Sequence, residues 1–410
     1  MLTLNQRLRQ SAYPLSIFKN RNFSLVWASS TLVGTGTQME AVVLAWFILT
    51  LTDSPFLVGL IAAARMALNV LALVAGAYVD RLPRNRLLAA VEFLMGCLGM
   101  TMLLLILTGW LEIWHIFAIT LLAGLVRLFQ MPSAQSLVAD TLPPERIGNG
   151  AAFTTVGMNI AMLLGPLFGG ILFKSFGPQG AYIVIASLYF VSGIAAIMVR
   201  VGRTVPDKIG ESMFVTVIEG LRYVKGQQVL WATLLMAVII NLAGWTFHTS
   251  LVPIFAYEVL ETDSAGLGFL LFSFGIGALL GASGWAMFRN LRRVGILMIG
   301  AVVAWHVTIL AFATSDSFHV SLIILFFTGM SFASTQVFIL TALLRTAQTE
   351  FRGRVMGLRS MAIFGFTIGS MASGGMASLW GSPWAANIVG ISGIVMVSCL
   401  ALLAPQVRNV

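Results

Sequence analysis

The sequence predicts an all-α integral membrane protein of twelve transmembrane helices arranged as two six-helix halves. Three observations lead there. Of 410 residues, 58% are hydrophobic and only 10% are charged, with a mean hydropathy of +0.93; soluble domains carry roughly 25% charged residues, so the chain falls in the polytopic membrane class. The apolar residues form twelve runs, each long enough to cross a hydrocarbon layer about 30 Å thick as a helix. These runs must be helical, because unpaired backbone groups in hydrocarbon are too costly. Finally, 20 of the 24 Lys and Arg residues sit at the two ends or in even-numbered loops, the asymmetry that keeps basic loops in the cytoplasm.

Taken in order, Arg7, Arg9, Lys19 and Arg21 precede the first run with no apolar stretch of signal-peptide length, so a cytoplasmic start without a cleaved leader is expected. Spans 1 to 6 are expected near residues 24–50, 55–79, 87–108, 113–137, 149–174 and 180–199. Spans 7 to 12 are expected near 231–259, 264–288, 293–313, 318–345, 354–378 and 383–403. The one long polar segment lies between these sets, dividing an N-terminal half, 1–199, from a C-terminal half, 231–410, with a cytoplasmic linker at 200–230. Within it Phe214, Val217, Ile218 and Leu221 recur at helical spacing, which predicts a surface-lying amphipathic helix. Among the odd-numbered loops only Lys174 is basic, and Arg65, Arg127 and Arg359 lie inside spans. Both termini are therefore expected in the cytoplasm.

The net charge of +9 follows from this retention of basic loops and does not require a nucleic-acid partner. Cys97 and Cys399 fall inside apolar runs, so neither a disulfide nor a metal framework is implied. No phosphate-binding loop, zinc-ligand spacing or nucleophile triad is visible, so neither an enzyme nor a cofactor is expected. His115, His248, His306 and His319 are scattered; in the spans such residues serve packing or a pore more often than a metal.

Between spans 2 and 3 stands Gly76-Ala-Tyr-Val-Asp80-Arg81-Leu-Pro83-Arg84-Asn85-Arg86. By itself it reads as a topogenic turn. Its spacing resembles the Gly-x-x-x-Asp-Arg-x-Gly-Arg-Arg loop of the major facilitator superfamily, with Pro83 and Asn85 as departures, and is most similar to the branch of enterobactin exporters and drug–proton antiporters. In span 5, Ala161-Met-Leu-Leu-Gly165-Pro166-Leu-Phe-Gly169-Gly170 resembles the Gly-x-x-x-Gly-Pro-x-x-Gly-Gly signature of antiporters, with Ala161 for the first Gly. Small residues there also suit plain helix packing. Arg127-Leu-Phe-Gln130 in span 4 looks like the Arg-x-x-Gln of proton-coupled members, although Met131 and Pro132 stand where Gly usually follows. Two turns half a chain apart, Pro143–Gly148 and Thr349–Arg354, are similar enough to suggest an internal repeat.

Two further charges lie deep. Glu40 is ten residues before Thr50 and Arg65 ten after Pro55; at about 1.5 Å per residue both sit about 15 Å below the same surface. Ionisable groups at that depth face a partner or water. Glu40 and Arg65 are thus proton-coupling candidates, and the resemblance of span 4 to proton-coupled members implies the same for Arg127, the alternative being permanent structural ion pairs. Glu92, close to the cytoplasmic end of span 3, is expected in the surface charge network. Trp46, Met66, Gln130, Trp245 and Phe338 are candidates to line a substrate cavity, though such side chains also face lipid or other helices.

The resemblance implies alternating access by two rocking halves in a bacterial-type inner membrane. It implies exchange of a small amphiphilic solute, siderophore- or drug-like, for protons, with the lipid bilayer as the other partner. Gly76, Asp80, Arg81, Arg84 and Arg86 would form a cytoplasmic gate with Arg354 and Arg359 at the start of span 11. An uptake symporter and a non-transporting membrane receptor are the competing readings.

Overall fold

The computed structural model describes residues 14–71, 82–200, 213–288 and 292–410. Gly76, Asp80 and Arg81 of the charged turn lie outside the described residues. The described chain is helical, with no strand among these residues. Span 1 is a single helix, Arg21–Thr52, started by Asn20, whose side chain accepts from the amides of Asn22 and Phe23, and stopped by Asp53 in the left-handed region at φ 48°. Ser54 caps span 2, Pro55–Ala67, whose first position takes the proline without losing a hydrogen bond. Gly109, at φ 73°, ends span 3, Arg84–Thr108.

Spans 5 and 6 are separate helices, as expected, joined so tightly that they make one stretch, Ile147–Ile197. Its only non-helical backbone is Gly177, at φ 68° and ψ −175°, with Pro178 following. The break is so short because one left-handed glycine and one proline reverse the helix without a longer loop. Ten helices among the described residues are long and apolar enough to cross a membrane. Counting the stretch 147–197 as its two spans, and adding the shorter apolar helix Pro55–Ala67, accounts for the twelve expected spans.

The halves meet along two seams, span 2 against span 11 (Thr349–Trp380) and span 5 against span 8 (Ser264–Ala286). Glycines make the close approach. A Cβ at Gly59 would meet the Ser370 carbonyl and stand 2.8 Å from Gly374 Cα, and a Cβ at Gly170 would meet the Ser264 carbonyl. At the face that carries the odd-numbered loops the halves are further joined by polar contacts. Tyr257 Oη donates to Asp53 at 2.6 Å, Ser264 Oγ donates to the Gly170 carbonyl at 3.0 Å, and Lys174 pairs with Asp263 at 2.6 Å. The Trp46 ring stands edge-on to Tyr257, centroids 5.6 Å apart. The odd-loop face is closed.

At the opposite, even-loop face, helix Met213–Lys225 docks on the start of span 11. Glu219 pairs with Arg354 at 2.7 Å, and the Tyr223 ring stacks on Phe351 at 4.0 Å. Ile218 and Leu221 of its apolar stripe stay exposed. The two similar turns adopt the same shape, a 3-10 turn at Pro144–Arg146 before span 5 and another at Thr349–Phe351 before span 11.

Candidate functional site

Four spans lose regular α-helical form near mid-bundle. Span 2 passes from Pro55–Ala67 into a 3-10 turn, Leu68–Leu71. Span 4 stops at Ile113–Arg127 and resumes as Gln130–Thr141, with Leu128 and Phe129 turning through bonds to Leu125 and Val126 at 3.3 Å each. Pro132 explains this break, since it offers no N–H to the Leu128 carbonyl four residues earlier. Span 7 becomes π-helical over Ile240–Trp245 and Phe247–Leu251, and span 11 divides into Arg352–Met361 and Phe364–Trp380. Arg65, Arg127 and Arg359 each sit in the last turn of the helix before such a break, where the partial negative charge of the carbonyl end favours a cation.

Glu40 stands where spans 1, 2, 4 and 6 converge and is 5% exposed. Its Oε2 accepts from Arg127 Nη2 at 3.3 Å and from Tyr189 Oη at 3.1 Å, and Arg65 Nη1 lies 3.7 Å away. Arg65 Nη2 donates to the Thr37 carbonyl at 3.0 Å, and Thr37 Oγ1 is 3.4 Å from Tyr189 Oη. The structure thus brings Glu40, Arg65 and Arg127 into one buried cluster of two cations and one anion. Nε and Nη1 of Arg127 are buried without a hydrogen-bond partner, so this guanidinium has unused donors in its present position. A carboxylate held through one oxygen by two donors and a nearby cation, on three helices, loses partners whenever those helices move apart.

The glycines of span 5 place its backbone against this cluster. A Cβ at Gly165 would stand 2.6 Å from Gln38 Cβ, and one at Gly169 would stand 3.0 Å from the Met39 carbonyl. The helix therefore lies directly on the turn of span 1 that carries Glu40, while Gly170 faces span 8. Beside it, between spans 1, 5, 7 and 8, is a cavity of about 60 Å³ whose wall includes Gln38, Met162, Pro166, Trp245, His248 and Leu271.

Of the other cavity candidates, Trp46 packs at the closed odd-loop face. Met66 is half-buried and accepts from Asn69 at 3.0 Å, Gln130 is half-buried at the start of the second helix of span 4, and Phe338 is buried edge-on to Trp285 at 4.7 Å. Of the gate candidates, Arg84 forks onto both oxygens of Asp140 at 2.8 and 2.7 Å, Arg86 is exposed and Arg359 half-buried. Glu92, expected among surface charges, is instead fully buried, with Ser29 Oγ donating to its two oxygens at 2.7 and 2.9 Å. It faces span 1 and not the membrane surface. Sequence reasoning also missed Tyr189, whose signal was a hydroxyl inside an apolar run, and Asp140, a carboxylate ending span 4.

Asp263, outside the spans, is held below the usual carboxylate range. Its burial opposes ionisation, but hydrogen bonds from Lys174 and from the Gly266 amide at 2.9 Å outweigh that cost.

The family described as transmembrane secretion effector matches residues 12–409. The multidrug efflux pump Tap of Mycolicibacterium fortuitum is 24% identical over 399 residues, spanning 94% of this chain and 96% of that protein. The enterobactin exporter EntS of Salmonella choleraesuis (strain SC-B67) is 23% identical over 358 residues, spanning 86% and 84%. Among solved structures, a bacterial homolog to the human lysosomal transporter Spinster, inward-facing and unoccupied, superposes with a TM-score of 0.75 at 14% identity over 95% of this chain and 98% of that one. The peptide transporter POT in complex with sulfate gives 0.75 at 12% identity, over 95% of each chain. At such identities the structures speak to fold alone, and relatives and fold alike are those of transporters, not enzymes. With a family match over nearly its whole length, the chain belongs to the transmembrane secretion effectors, multi-pass membrane transporters of the major facilitator superfamily.

Proposed function

We propose that the chain exports a small amphiphilic solute, siderophore- or drug-like, in exchange for protons, by alternating access of residues 1–199 and 231–410 in a bacterial-type inner membrane, with both termini and the linker inside. The observation that carries this reading is Glu40 shared by Arg65, Arg127 and Tyr189. Proton affinity of a buried carboxyl depends on the cations and donors facing it. Arg65 rides on span 2, which also forms a seam with span 11, so opening that seam moves a partner of Glu40. Protonation and gate position are then linked, and the linkage is reciprocal. The direction of transport is supported by relatives named as an efflux pump and an exporter. The amphiphilic class is supported by a cavity whose wall mixes Trp245, Met162 and Leu271 with Gln38.

In this reading the closed odd-loop face is the outer one and the structure stands with its outer gate shut. Inside-out vesicles with an acidified lumen test it. Wild-type protein is expected to accumulate radiolabelled chloramphenicol, a neutral aromatic amphiphile, and Glu40→Gln to insert normally without accumulating it. Accumulation by Glu40→Gln at the wild-type rate would overturn proton coupling through this residue.

A further inference from the structure

The middle of span 7 builds a second, uncharged site beside the Glu40 cluster. Its two π-helical segments, Ile240–Trp245 and Phe247–Leu251, precede Pro253, which has no N–H for the Thr249 carbonyl. π turns re-aim side chains and recur at functional sites. Here Trp245 and His248 both reach the central cavity. Trp245 stacks on Phe332 at 5.0 Å and 25°, and His248 stacks on Phe274 at 4.0 Å and 28°. Phe274 and Phe332 lie 5.4 Å apart, so span 8 and span 10 hold both cavity rings from behind. His248 Nδ1 is buried and has no hydrogen-bond partner. Gln38 stands in the wall contributed by span 1, and among the described residues no Asp, Glu, Lys or Arg lines the cavity.

A buried ring nitrogen left unpaired is costly, and a ligand group that pairs it, once the imidazole turns that edge toward the cavity, recovers that cost. Nδ1 is donor or acceptor according to tautomer, and a hydroxyl or amide satisfies both. Stacked aromatic walls favour a planar ring, and a wall without charge disfavours an ionised one. About 60 Å³ is well below the roughly 300 Å³ or more of a site for a whole drug-sized ligand, so this space takes one ring of a larger molecule. We propose that His248 is the polar contact of a subsite for an uncharged planar aromatic group bearing a hydroxyl or amide, with Trp245 supplying the ring face. This rests on the transport reading above and names the substrate class.

The test uses the full chain in detergent, titrated by tryptophan fluorescence with 7-hydroxycoumarin, coumarin and cyclohexylmethanol in mildly acidic buffer, where the phenol is neutral. Wild-type protein is expected to bind 7-hydroxycoumarin about tenfold more tightly than coumarin, the effect of one hydrogen bond, and cyclohexylmethanol more weakly than both. His248→Phe keeps a ring against Phe274 and is expected to bind the two coumarins equally. Equal binding of the coumarins by the wild type, or discrimination retained in His248→Phe, overturns the subsite. The wild-type comparison needs no variant to fold. Proton-driven flux measured on the same protein separates the two readings: flux without discrimination overturns the subsite alone, and discrimination without flux overturns the transport reading alone.

Discussion

Arg127 meets Glu40 at 3.3 Å from the carbonyl end of a helix that stops at mid-span. The stop puts the guanidinium on Oε2, the same oxygen that Tyr189 and Arg65 approach. Three helices therefore compete for one acceptor, and the arrangement is sensitive to small relative movements of spans 2, 4 and 6.

Tyr189→Phe removes one donor to this oxygen. Hydrogen bonds to charged groups contribute about 1.5–3 kcal/mol, so thermal unfolding in detergent is expected at lower temperature than for the wild type. In a Glu40→Gln background the same change is expected to cost clearly less, because no carboxylate charge remains. Equal costs in both backgrounds would show that the hydroxyl does not act through Glu40.

The seam between spans 2 and 11 closes only because positions 59 and 374 lack side chains. Overpacking costs about 1–3 kcal/mol, and in Gly59→Val that cost falls on the closed odd-loop face. The variant is expected to expose the cavity to that side, raising the rate at which a membrane-impermeant maleimide labels a cysteine at position 38 roughly five- to a hundredfold. An unchanged rate would place the closure elsewhere.

The Lys174–Asp263 latch carries a defined pH sign. Because the Asp263 carboxyl is held below its ordinary range in this conformation, its contribution to closure is present above the ordinary carboxylate value, about 3.9. It is lost as pH falls through the lowered value. Both side chains are about half exposed, so the effect is screened by salt and amounts to severalfold at most. Labelling at position 38, divided at each pH by that of a cysteine at the exposed position 261 to remove the fall in thiolate, is expected to be flat from neutral to mildly acidic pH and to rise only in strong acid. Asp263→Asn is expected to abolish that rise.

The proposed sidedness rests on the basic loops. A cysteine at position 174 or 261 is expected to react with impermeant maleimide in intact cells, and one at position 222 of the linker helix only after permeabilisation. Reaction at 222 in sealed cells would reverse the orientation.

Much of this architecture was legible in the chain. The repeat turns at 143–148 and 349–354 return as paired 3-10 turns, and helical rise alone set Glu40 and Arg65 at one level, where they stand 3.7 Å apart. Face was harder to read than depth. Glu92 lies near a span end by residue count, but its side of the helix turns to Ser29. Tyr189 was invisible because an aromatic residue in an apolar run looks like packing until its hydroxyl is seen against a carboxylate. Pro132 and Pro253 each remove a helical hydrogen bond, but no local pattern says that one break delivers Arg127 to Glu40 and that the other proline follows two π turns. Arg84 was read as part of a gate, and its pairing with Asp140 depends on how spans 3 and 4 pack, which no local pattern encodes.

If Glu40 carries the exchanged proton, substrate-induced proton release measures it directly. Purified protein in weakly buffered detergent is mixed with chloramphenicol and followed with a pH dye. Wild-type protein is expected to release protons on binding. Glu40→Gln, which keeps the shape and hydrogen-bonding capacity of a protonated Glu, is expected to bind the compound and release none. Release by Glu40→Gln of as many protons per bound molecule as the wild type would make Glu40 a structural residue and place the exchanged proton elsewhere.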